Sequence, residues 1–175
     1  PLSDEILSKA ASLNNDYIAI YDFVRSQIKT EWYAGSMKGA QGTLRQLSGN
    51  DVDQASLLVA LFRASGLASR FVKGVVELPI EDVMASLAIT DSAQAVTALT
   101  KAGVKFTPQI RGGRVGAVHV EQIWVEAKVP YNNYRGTVID KTGASWLPLM
   151  PSIKTYQNTA ATNILKTMGI DTQAE

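Results

Sequence analysis

The sequence predicts an α+β fold in which helices come first and a mostly antiparallel sheet follows. Three observations predict it. Residues 51–65 form a helical stretch that is apolar nearly all round (Val52, Ala55, Leu57, Leu58, Val59, Ala60, Leu61, Phe62), the mark of a helix buried in a core. Helical patterns dominate the chain ahead of residue 66, whereas strand-like runs dominate after it. Two of those runs, 104–110 and 115–129, are separated by Arg-Gly-Gly-Arg, which suits a hairpin turn.

Taken in order, residues 4–12 (DEILSKAAS) read as a short helix. Asn14, Asn15 and Asp16 offer N-cap oxygens for a second, in which Tyr17, Ile20, Tyr21, Val24 and Ile28 recur at helical spacing. Residues 34–50 are rich in Gly and polar side chains and read as a long loop. The buried helix starts after Asn50, carries Asp51 and Asp53 in its first turn, and ends at Gly66. A strand-like run at 70–78 is closed by Pro79; two short helices follow at 80–88 and 91–102. After the hairpin, AKVPYNNYRGTVIDKTGASW (127–146) carries two turn clusters, and SWLPLM (145–150) is a last strand stopped by Pro151. Residues 1–157 are expected to form a single domain, with 1–14 as its N-terminal helix. Residues 158–175 read as a polar tail with a helical pattern at 160–168.

Composition bounds the function. Seventeen basic against sixteen acidic side chains leave a net charge of +1 with no block of one sign, so no nucleic-acid partner is expected. The apolar runs are too short for membrane insertion. The chain has no cysteine, which excludes disulfides, thiolate metal sites and thiol chemistry. No metal and no cofactor are expected. The start at Pro1, without an initiator Met or a signal-like segment, reads as a piece of something longer.

Three segments occur in a telling order: "GNDVDQASLLVALFRASGLASRFVKG" (49–74), "QIWVEAKVPY" (122–131) and "WLPLMPSIK" (146–154), with "YDFVRSQI" upstream. They resemble the nucleophile helix, histidine strand and aspartate strand of the transglutaminase-like superfamily. That resemblance implies the papain-like cysteine-protease fold over roughly 15–157, with N-terminal helices and a buried helix packed on an antiparallel β-sheet. The chain also resembles domains found inside large bacterial multidomain proteins, some of them RHS/YD-repeat-like, which favours a secreted or cell-surface setting.

Residue by residue, the carry-over finds the family's triad missing. Asp51 stands where the family has its cysteine, four residues before Ala55. Gln122 stands where it has its histidine, two before Trp124, and Met150 where it has its aspartate, just before Pro151. A carboxylate is a poor nucleophile toward an amide. Gln122 takes up no proton near neutral pH, and Met150 offers only a weak thioether acceptor. His119 is three residues from Gln122 on a strand, so alternation turns it to the opposite face. Arg63 and Arg70 read as partners in ion pairs or hydrogen bonds, Arg111 and Arg114 as solvated. Candidate residues for a peptide or glycan groove are Trp124, Tyr131, Tyr134 and Trp146. Trp124 also reads as core at its strand spacing, and the two tyrosines fall in a turn-rich segment.

Three functions remain open: a structural or binding module whose partners are neighbouring domains, a pseudoenzyme whose groove holds a peptide or glycan, and a hydrolase or acyl-transferase with carboxylate-based chemistry. The last would pair Asp51 with Glu121, Glu126 or Asp140.

Overall fold

A computed structural model describes residues 2–130 and 144–154. Two helices open the chain, α1 (Asp4–Ser12) and α2 (Tyr17–Gln27), capped by Ser3 and Asp16. A two-residue strand β1 (Lys29–Thr30) pairs in parallel with β2 (Ser48–Gly49), and helix α3 (Gly39–Gln46) lies between them. Next come α4 (Asp51–Ala64), β3 (Ser69–Pro79), α5 (Ile80–Leu87) and α6 (Ser92–Lys101). Three strands complete the order: β4 (Phe106–Arg111), β5 (Arg114–Pro130) and β6 (Ala144–Leu149). The fold is α+β, helices first and an antiparallel sheet after them. The pattern at 160–168 and the residues Tyr131, Tyr134 and Asp140 lie outside the described residues.

Strand β5, 17 residues long, organises the sheet. One side of it pairs along β3, Ser69 opposite Ala127 through Pro79 opposite Ala117. The other side pairs first with β4, from Arg111 opposite Arg114 to Phe106 opposite Val120, and then with β6, from Val125 opposite Leu149 to Pro130 opposite Ala144. Between these two partners residues 122–124 have, among the described residues, no strand beside them on that edge.

Two cores share β5. Val125 and Ala127 pack with Leu57, Leu58, Leu61 and Phe62 of α4 and with Ile20 and Val24 of α2. Val118 and Val120 pack with Val83 of α5 and with Ala95 and Leu99 of α6. The two sets differ in parity along one unbroken register, so they face opposite sides of the sheet. Each fully buried Leu or Phe of α4 stabilises the fold by roughly 1.5–3 kcal/mol.

One expectation needs correction. The segment 34–50 is not a continuous loop, because Gly39–Gln46 is helical. Tertiary contacts stabilise this helix: Thr43 is fully buried, Ala40 and Leu44 pack on the first core, and Arg45 forms a two-pronged ion pair with Glu5 of α1. Farther on, Lys154 Nζ donates to the carbonyls of Val24, Arg25 and Ile28 at the end of α2, a cationic C-terminal cap that ties residues 151–154 to the helical layer.

Candidate functional site

The site is built around the first turn of α4. Asn50 caps it, its Oδ1 accepting from Asp53 N at 2.9 Å, while its Nδ2 donates to the carbonyls of Tyr33 and Gly35. Asp53 is 0 % exposed and accepts five hydrogen bonds: Tyr33 Oη and Ser36 Oγ at 2.6 Å, and the backbone N–H groups of Met37, Lys38 and Gly39 at 2.9–3.1 Å. Burial alone would raise its carboxyl. The donors from Ser36, Tyr33 and the backbone outweigh burial and hold it below the ordinary carboxylate range. Asp53 therefore fixes the path of residues 33–39 along one wall of a cavity.

Asp51 lies on that cavity and faces β5. Its Oδ2 accepts from Ile123 N at 2.7 Å. Hydrogen-bond phase explains the contact. Glu121 N donates to Lys105 O on the β4 side, so alternate N–H groups, including that of Ile123, point to the same edge. Ile123 is where β4 has ended and β6 has not begun, and the carboxylate takes the place of a strand carbonyl. Burial raises the Asp51 carboxyl above its usual value, opposed in part by the bond from Ile123 and by backbone N–H groups of the helix start.

Gln122, 6 % exposed, lines the same cavity, and its Oε1 accepts from Ser152 Oγ at 3.1 Å. A buried polar chain supports it. Gln54 Nε2 donates to Thr30 Oγ1 at 3.0 Å, and Thr30 Oγ1 donates to Ser152 O at 2.9 Å. Met150 does not line the cavity: β6 ends at Leu149, and the turn that follows presents Ser152 to Gln122 instead. The structure thus brings Asp51 and Gln122 to one cavity and leaves Met150 off its wall.

That cavity has a volume of about 280 Å³. Trp32, Tyr33, Leu78, Val83, Val104 and Ile123 make it mainly apolar. Trp32 is held by its indole N–H, which donates to Ser86 Oγ at 2.8 Å. Glu121 and Asp82 add carboxylates to the lining, and Lys73 and Lys105 add cations, both of which pair with Glu121.

Other expected groove residues sit elsewhere. Trp124 leans over Gly74 of β3, where a Cβ would come within 2.5 Å of its ring. Trp146 stacks under the Arg70 guanidinium, 4.2 Å from the ring centre, and Arg70 also pairs with Glu126. Neither tryptophan lines the cavity, because β3 engages both from across the sheet. His119 faces Glu77 and Gln109, away from Asp51. Arg111 is solvated as expected, and also pairs with Glu77.

Sequence reasoning missed Trp32 and Tyr33, which lie in a stretch without periodicity. It also missed the anchoring role of Asp53, whose partners lie 14–20 residues away in sequence. Among the described residues no group of acidic or histidine side chains is arranged to hold a metal ion, and no helix is long and apolar enough to cross a membrane.

Chemically, the arrangement offers a shaped, mainly apolar recess with the buried Asp51 carboxylate and the Gln122 amide on its wall, and further carboxylates, Asp82 and Glu121, in its lining. A family model described as the transglutaminase-like superfamily matches residues 1–151. No curated protein and no solved structure matches the chain.

Proposed function

The chain belongs to the transglutaminase-like superfamily, and from that premise we propose that it is a non-catalytic member whose cavity holds an apolar side chain of a peptide. One observation carries the proposal. The carboxylate of Asp51, at the family's nucleophile position, closes the gap in the sheet by accepting from Ile123 N. A group serving as part of the hydrogen-bond ladder is positioned to stabilise and not to attack. Gln122 has no acid–base chemistry, and the chain has no thiol. The mainly apolar lining, with Trp32 and Tyr33 on one wall, suits an aliphatic or aromatic peptide side chain better than a glycan. The resemblance to domains of large bacterial proteins supports a role as one module of a secreted or surface protein.

The test is direct. The full chain, incubated with a peptide-amide library and a primary amine, is expected to give neither hydrolysis nor cross-linking. It is expected to bind apolar peptides with a change in Trp32 fluorescence that Val83→Arg abolishes. Amide turnover that Asp51→Ala removes while the fold survives would overturn the proposal.

A second reading, carboxylate-based hydrolysis, is favoured by one observation: Asp51 and Glu121 line the same cavity with carboxyls shifted in opposite directions. Burial raises Asp51, and the lysines beside Glu121, chiefly Lys73, lower it. Of the other acids considered, Glu126 is paired with Arg70 and does not line the cavity. A bell-shaped pH–rate profile that loses one limb in Asp51→Asn would establish this reading.

A further inference from the structure

We infer that the outer edge of β3 is a self-pairing surface: two copies of the chain join their sheets through antiparallel β3–β3 pairing about a twofold axis at Val75. The strand is long, 11 residues, and stands at the edge of the sheet order β3-β5-β4. Among the described residues no strand pairs with its outer side. Exposed edges of this length are usually blunted by charges, prolines or bulges. Here the register with β5 is free of bulges, the only proline stands at the strand's end, and the charges Lys73 and Glu77 alternate with Phe71 at 47 % and Val75 at 64 % exposure.

The phase of the ladder decides which groups are free. Lys128 N donates to Ala68 O at 2.8 Å, across a directly opposed pair of the β3–β5 register. Even-numbered residues of β3 therefore turn their N–H and C=O groups toward β5. The odd-numbered residues Phe71, Lys73, Val75 and Glu77 turn theirs outward. A second strand can bond to these groups only in registers that set odd residues against odd residues.

Of those registers, the one centred on Val75 matches the side chains. It sets Lys73 opposite the partner's Glu77, and by symmetry Glu77 opposite the partner's Lys73. Val75 meets its own copy, and Phe71 meets Pro79, which has no N–H to lose. On the other face Val72 meets Leu78, and Gly74 meets Val76. A centre at residue 73 or 77 places like charges against each other. A centre at 74 or 76 leaves Lys73 and Glu77 opposite uncharged residues. Only one phase gives both charge pairs, and cross-strand pairs of opposite charge and of β-branched residues are the favourable ones. The self-complementarity is what a closed twofold interface requires, and it selects a second copy over an unrelated peptide. Glu77, already beside Arg111 and His119, stays 47 % exposed at its side chain, and Lys73 stays 62 % exposed, so each is open to a further partner.

The absence of cysteine makes the test clean. In the full chain, Val75→Cys places two thiols on a twofold axis with Cα atoms about 5.5 Å apart, inside the range that a disulfide spans. Mild oxidation should convert it to a covalent dimer, whereas Val72→Cys, which faces the partner's Leu78, should stay monomeric on denaturing gels. By sedimentation, Val75→Pro should weaken association about tenfold or more, since it deletes only an outward N–H that an edge strand can spare. Should that variant fail to fold by circular dichroism, Val75→Lys, which opposes two ammonium groups, decides in its place. The inference is overturned by a wild-type chain that stays monomeric at high micromolar concentration, by a dimer that survives both substitutions, or by equal cross-linking of the two cysteine variants.

Discussion

Asp51 and Asp53 are two residues apart at the start of α4, yet their carboxyls are shifted in opposite senses. The signs lead to separate predictions. Asp53, held low by its donors, contributes stability that is fully present above the unfolded value near pH 4 and is lost as pH falls through its lower folded value. The stability gap between wild type and Asp53→Asn should therefore be widest at neutral pH and narrow below about pH 4, in urea titrations run as a pH series. At neutral pH Asp53→Ala should cost about 3 kcal/mol or more, because five donors lose a charged acceptor. Asp51 is raised by burial, so its contribution is present at acid pH and is lost as pH rises through its folded value. Asp51→Asn keeps an oxygen for Ile123 N and removes the charge. Relative to wild type it should gain stability as pH rises above about 4, whereas Asp51→Ala should lose about 1–2 kcal/mol at neutral pH through an unmatched N–H.

At the scale of elements, β3 depends on one glycine. Gly74 lets the Trp124 ring lie across the strand, and a methyl there would meet the ring at 2.5 Å. Gly74→Ala should cost about 1–3 kcal/mol and shift the tryptophan emission, measured by thermal melts and fluorescence. Most elements were legible in the sequence because their signals are local. The helix of 51–65 shows in its run of apolar residues, β5 in its alternation, and the hairpin in Gly112 and Gly113, whose φ angles of +59° and +78° match a turn that glycine favours. Helix α3 was not legible. It has Gly39 and Gly42, no side-chain cap, and few apolar residues, and its stability comes from α1 and α4. The candidate site divides in the same way. Asp51 and Gln122 were pointed to by the family resemblance, through their offsets from Ala55 and Trp124. Trp32, Tyr33 and Ser152 reach the cavity only through folding, and no pattern in the chain announces them.

For the molecule as a whole, the two cores on opposite faces of β5 differ in size. The α5–α6 core holds fewer buried side chains than the core around α4. It should open first, so hydrogen exchange at 80–101 should be faster than at 51–64. Leu99→Ala should widen that difference, and Leu58→Ala should cost about 2–5 kcal/mol and speed exchange throughout. The cavity lies where these halves meet. Thr30, Asp51 and Val52 come to it from the α4 side, and Leu78, Val83 and Val104 from the α5–α6 side. An occupant would therefore act as a keystone. It would touch both halves at once, and unfolding either half would release it. Two unfolding steps that are separable in the empty protein would then fuse into one, and the chain would gain cooperativity as well as heat resistance from the molecule it holds.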